Sequence, residues 1–136
     1  MDARLALTAS CRLVGLGFTG NDSTFVPFDP AKTLSGVYWM CCHDGRRNRN
    51  KAPRDCRASF ASAEVGLTDI EGVAIYAQDP TVIEGHYMDL PGSVRAEHRE
   101  SVACLGLWDG RPGLDWYWDD GADPYCGSAS RGSVKI

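Results

Sequence analysis

The segment Leu114-Asp115-Trp116-Tyr117-Trp118 leaves little structural choice. Gly110-Arg111-Pro112-Gly113 precedes it and Asp119-Asp120-Gly121-Ala122-Asp123-Pro124 follows, and both flanks are rich in turn formers. Three large rings in five residues suit a pleated, half-buried surface, so a strand is expected here. On a strand Asp115 and Tyr117 share one face and Trp116 takes the other. A second aromatic segment, Val37-Tyr38-Trp39, lies in the first half of the chain. Each is followed by an Asp/Gly turn, then a cysteine (Cys56 or Cys126), then a run of small residues. The echo predicts two pseudo-repeated strand-helix-strand-strand modules, roughly residues 1–67 and 68–136.

The expected fold is therefore a single α+β domain, an antiparallel sheet with its helices on one face. A chain of 136 residues fits one domain. With 43% hydrophobic and 24% charged residues it has globular composition, which excludes a disordered chain. No apolar run approaches the ~18 residues that a membrane helix needs. Fourteen basic against eighteen acidic residues leave a net charge of −4, which opposes binding to a phosphate backbone. Neither nucleic acid nor membrane is an expected direct partner.

Along the chain, Leu5, Leu7, Ala9, Cys11 and Leu13 alternate with other residues and predict an opening strand. Pro27 and Pro30 limit residues 19–35 to a short helical turn. Residues 37–42 are apolar on both faces and read as a central strand covered on each side. The basic stretch His43 to Asp55 reads as a solvated loop, with a phosphate or acidic-partner site as the sharper alternative. Strands are expected at residues 56–65 and 82–90, the latter ended by Pro91-Gly92, and a short strand or apolar turn at 73–77. Residues 93–108 are expected to be a helix, capped by Ser93 and carrying Val94, His98, Val102 and Leu105 on one stripe. A last strand is expected from Ser128 to Ile136.

Met1 to Thr8 has an early acid and too short an apolar stretch for a secretion signal, so a cytoplasmic protein is expected. In that compartment the six cysteines read as buried thiols rather than three disulfides. Cys41-Cys42-His43-Asp44 with Cys56 offers metal-ligand types, but the paired spacing of a zinc site is missing, and no metal is expected.

Four segments carry a family likeness: Leu13-Val14-Gly15-Leu16-Gly17-Phe18-Thr19-Gly20; Gly36-Val37-Tyr38-Trp39 with Arg54-Asp55-Cys56-Arg57-Ala58; Ile83-Glu84-Gly85-His86-Tyr87; and residues 114–123. Together they resemble the GyrI-like, or AraC-type, bacterial effector-binding domain. The resemblance implies a stand-alone effector-binding module without cofactor. It would hold cationic or amphipathic aromatic small molecules in an apolar pocket with one acidic anchor. On this sequence the anchor is Asp115, with Tyr117 beside it, Tyr38 on the opposite wall, and Trp39, Trp116, Tyr87 and Trp108 as further ring contacts. A carboxylate buried among rings is costly alone, so a guest cation would both pair with it and be attracted by the ring faces. Equally open is Asp115 as a surface cap with the aromatics filling the core. No DNA-binding helix pair is visible, so any link to regulation would run through a partner regulatory protein. A homodimer or larger homo-oligomer, with an aromatic strand as its interface, is the second reading. An enzyme built on His43, His86 or His98 ranks third, because no nucleophile motif accompanies them.

Overall fold

The computed structural model describes residues 5–135; Met1 to Arg4 and Ile136, the last residue of the final expected strand, lie outside the described residues. Helix α1 spans Leu7–Val14, and strands β1 and β2 span Phe25–Pro27 and Trp39–His43. Helix α2 follows at Pro53–Ser59, strand β3 at Val65–Gly66 and helix α3 at Asp69–Gln78. Five strands complete the chain: β4 (Tyr87–Arg95), β5 (Ser101–Trp108), β6 (Arg111–Trp118), β7 (Cys126–Ser128) and β8 (Ser130–Lys135). The α+β class with antiparallel sheets is thus what the chain adopts. The order is helix-strand-strand-helix-strand in one half and helix followed by five strands in the other, so the repeated module order is not seen. No helix among the described residues is long and apolar enough to cross a membrane.

The larger sheet runs β1-β4-β5-β6, with β7 added parallel to β4. The smaller sheet runs β2-β8-β3, so β2 is an edge strand. Met88 and Leu90 pair with Leu105 and Ala103, and these residues form one face of the larger sheet. Leu7, Cys11, Leu67 and Val73 cluster with them in the core. Helix α3 lies close because Gly72 has no Cβ; one built there would sit 2.6 Å from the Leu90 side chain. Helix α2 meets β4 and β7 from the side of Asp89 and Ser128, so the helices are shared between the two sides.

Several expectations are corrected. The opening strand is helix α1: its buried positions are Leu7, Ser10 and Cys11, a helical spacing, and Leu13 is 73% exposed. Gly15, at φ 78°, ends it by returning its N–H to Arg12 and Cys11. The expected strand at 56–65 is instead the end of helix α2, begun by Pro53 in the first turn, then a loop that reaches β3 only at Val65. The apolar run at 73–77 lies inside α3, which a capping box between Thr68 and Glu71 starts.

The expected helix at 93–108 is the end of β4, a turn, and β5; the spacing that looked helical came from two buried strands read as one. His98 is therefore a turn residue, 3.4 Å from Glu100. Strand β4 also runs on through Pro91-Gly92, absorbing them in a register slip between Leu90 and Val94. Finally, β2 is no central strand: Trp39 is 76% exposed and β8 is its one neighbour in the sheet.

Candidate functional site

Strand β2 and helix α3 stand apart and enclose a cleft of about 510 Å³. Its strand wall is Tyr38, Trp39, Met40, Cys42, His43 and Asp44, and its helix wall is Ile70, Glu71, Ala74, Ile75 and Gln78, with Asp79 and Val82 at the far end. Those helix positions recur at helical spacing on one side of α3, while Gly72 and Val73 on the other side are buried in the core. The volume lies within the usual range of small-molecule sites.

The two ends of the cleft differ in charge. At one end Glu71 is buried, with 3% of its surface exposed. Its Oε1 accepts the Thr68 amide at 3.0 Å, and its Oε2 accepts the Tyr38 hydroxyl at 2.9 Å and Arg131 Nε at 2.6 Å. Burial, reinforced by the Glu71 charge, pushes the Tyr38 phenol well above its ordinary pKa. Glu71 is thus neutralised by Arg131 and serves to hold Tyr38. At the other end Asp79 caps the turn after α3, accepting the Thr81 amide at 3.1 Å and its hydroxyl at 2.5 Å, and these bonds hold its carboxyl below the ordinary value. Asp44 is paired with Arg46, whose Nη2 also donates to the carbonyls of Thr81 and Glu84 at 3.0 and 2.6 Å. The Arg46 charge adds a smaller downward push on Asp79. Among the described residues no Lys or Arg lines the cleft.

His43 shows what this wall cannot do. The Gly45 amide donates to its Nδ1 at 3.1 Å, so the ring proton resides on Nε2. Nε2 lies 2.7 Å from Ser130 Oγ, and Ser130 donates onward to Glu64 Oε2 at 2.5 Å. Burial, then the Arg47 charge, lowers the pKa of His43 and keeps it neutral. A serine nucleophile needs the imidazole to take its proton. Here the proton order runs from His43 to Ser130 to Glu64, the opposite sense.

The residues expected in one pocket fall into three places. Tyr38 and Trp39 line the cleft. Tyr87, Trp108, Asp115 and Tyr117 share one face of the larger sheet by pairing register, with the Tyr87 and Trp108 rings 5.3 Å apart. Asp115 is half-buried there, accepts the Trp116 amide at 2.9 Å, and lines neither described pocket. Trp116 lies on the opposite face, with the Arg95 guanidinium 4.1 Å from its ring centre. The second pocket, about 110 Å³, lies around Arg57, which binds both oxygens of Asp119 at 2.6 Å.

Two groups of residues were missed. Glu71, Asp44 and Asp79 supply the carboxylates of the cleft; Thr68-x-x-Glu71 is a readable capping signature, but nothing local says that its Glu meets Tyr38. Asp89, like Asp115 an acid inside an apolar strand, is the one that is fully buried, and among the described residues no N–H or O–H group bonds either of its oxygens. Among the cysteines, Cys11, Cys56, Cys104 and Cys126 are buried thiols, whereas Cys41 and Cys42 are exposed on β2. Among the described residues no group of three or more His, Cys, Asp or Glu side chains is placed to hold a metal ion. Comparisons with protein families, with curated proteins and with solved structures found no match.

Proposed function

We propose that the chain is a binding module that takes cationic or amphipathic aromatic molecules in the β2–α3 cleft. The observation that carries this reading is the wall itself: the Tyr38 and Trp39 rings, an apolar floor from Met40, Ile70, Ala74 and Ile75, and carboxylates with no lining Lys or Arg among the described residues. A flat cation would lie on Trp39, gaining ~0.5–2 kcal/mol from the ring face. Its charge would sit toward Asp79, since Glu71 already has Arg131 and Asp44 already has Arg46. The anchoring acid is therefore different from Asp115, while the ligand class is the one that the resemblance to GyrI-like effector-binding domains implies. Such a module would act as a sensor or a sequestering protein.

The test is titration with a fluorescent aromatic cation, read by quenching of tryptophan emission. Quenching should be saturable, should largely vanish in Trp39→Phe, and should weaken several-fold in Asp79→Asn. Ala74→Trp, which fills the cleft, should abolish it. Binding that Ala74→Trp and Trp39→Phe leave unchanged would place the guest elsewhere and end the reading.

A further inference from the structure

The cleft runs along the edge of β2 rather than over one of its faces. Consecutive strand residues point to opposite faces. Yet Tyr38, Trp39 and Met40, and then Cys42, His43 and Asp44, all touch the same cavity. A cavity touched by both sets follows the side of the strand that carries its outward main-chain groups. β8 takes the other side of β2. Apart from the β8 ladder, no backbone hydrogen bond reaches residues 37–43 among the described residues.

Natural edge strands are usually blunted by lysine, proline or inward charge. Val37-Tyr38-Trp39-Met40-Cys41-Cys42 has none of these, and Val37 and Trp39 are 65% and 76% exposed. Across the gap α3 presents Ile70, Ala74, Ile75 and Gln78. The five residues of β2 extend ~17 Å at the usual strand rise. From Ile70 to Gln78 the helix extends ~12 Å. The slot therefore fits about four or five extended residues between a strand edge and a helix.

We propose that this slot also accepts an extended, lysine- or arginine-bearing segment of another polypeptide, which adds to β2 as a fourth strand of the small sheet. The inference rests on the cleft being the binding site. Main-chain bonds to β2 would supply sequence-tolerant affinity, and alternate side chains would enter the cleft. Charge chooses the partner. At the mouth Arg46 pairs with Asp44, and among the described residues Asp79 forms no ion pair, so one uncompensated carboxylate attracts a basic segment and repels an acidic one. A second copy of this chain would bring the same carboxylate against itself.

The experiment uses two heptapeptides, one alternating Lys and Val and one alternating Glu and Val, with hydrogen exchange at the β2 amides and displacement of the fluorescent cation as readouts. The Lys-Val peptide should slow exchange over residues 39–43 at least tenfold and displace the cation; the Glu-Val peptide should do neither. N-methylation of one alternate set of peptide amides should abolish the protection, and methylation of the other set should not. Asp44→Lys with Asp79→Lys should reverse the preference between the peptides. If the cation binds but the Lys-Val peptide leaves β2 exchange unchanged, or if both methylated peptides protect equally, the strand-addition proposal fails and the cleft reading stands. If neither probe binds, both fail. Protection of β2 in the protein alone, with a solution mass of two chains, would mean that a second copy holds the edge and would also overturn the proposal.

Discussion

Asp89 lies directly opposite Cys104 across the β4–β5 ladder, fully buried, with a thiol facing it where a cation would be expected. Around it stand Cys56 from α2, Cys126 from β7, Tyr117 from β6 and Asp123 from the preceding loop, none of them basic. Burial, with a further push from Asp123, raises its carboxyl to about 7. The folded state therefore holds a proton that the unfolded chain releases near 4. Stability should fall as pH rises from about 4 to 7, by at most ~4 kcal/mol from this one group. His43 and His86 have lowered values in the fold and act oppositely, costing stability as pH falls below their ordinary 6.5. The difference between wild type and Asp89→Asn isolates the carboxyl. Urea unfolding from pH 4 to 8 should show the variant losing less stability on the alkaline side; parallel curves would refute the assignment.

Glu71 and Arg131 form a pair in which both side chains are almost fully buried. Glu71→Gln strands a guanidinium in the core and should cost about 3–5 kcal/mol in urea unfolding. Glu71→Gln combined with Arg131→Met should recover part of that loss. A single-variant cost under about 1 kcal/mol would show that the pair is hydrated and not the clamp described.

Gly45 and Gly127 meet backbone to backbone where the turn after β2 rests on β7. Gly45 also has φ 88°. A Cβ at Gly45 is strained by the backbone and collides with the Gly127 carbonyl, so Gly45→Ala should destabilise by about 1–3 kcal/mol or more. Gly132→Ala meets no atom within 4 Å and should be near neutral, which makes it the control.

The thiols should fall into two classes. Cys41 and Cys42 should react with a disulfide reagent in the native protein, and the four buried thiols only after unfolding. A guest in the cleft should slow Cys42, which lines it, far more than Cys41. Equal slowing of both, or of neither, would argue against a guest seated beside Cys42.

Local pattern was enough for some of this protein. Trp116-Tyr117-Trp118 between two turn-rich flanks could be little else than a strand, and β6 is one; the proline-limited stretch before β2 has as its one helical piece the short turn Pro30–Lys32, beside the unforeseen strand β1. Tyr38 and Trp39, two of the rings expected in a pocket, do line a cleft. Where two periods coincide, pattern alone was insufficient. Leu7, Cys11 and Leu13 alternate, yet Leu7, Ser10 and Cys11 also match a helix turn, and packing against α3 chose the helix. Residues 93–108 matched a helix only because the hairpin turn at 96–100 was not recognised.

The amino-acid order by itself determined an α+β chain, acidic overall, with aromatic strands and acids embedded in them. Tertiary structure decided which acids matter and how. Whether 37–42 is a covered strand or an open edge depends on β8, which is some 90 residues away in the chain. Whether Asp89 or Asp115 is the buried one depends on β4 lying between β5 and β7, while β6 sits at the margin of its sheet. Burial and unpaired edges come from contacts between distant segments, so no local window contains them.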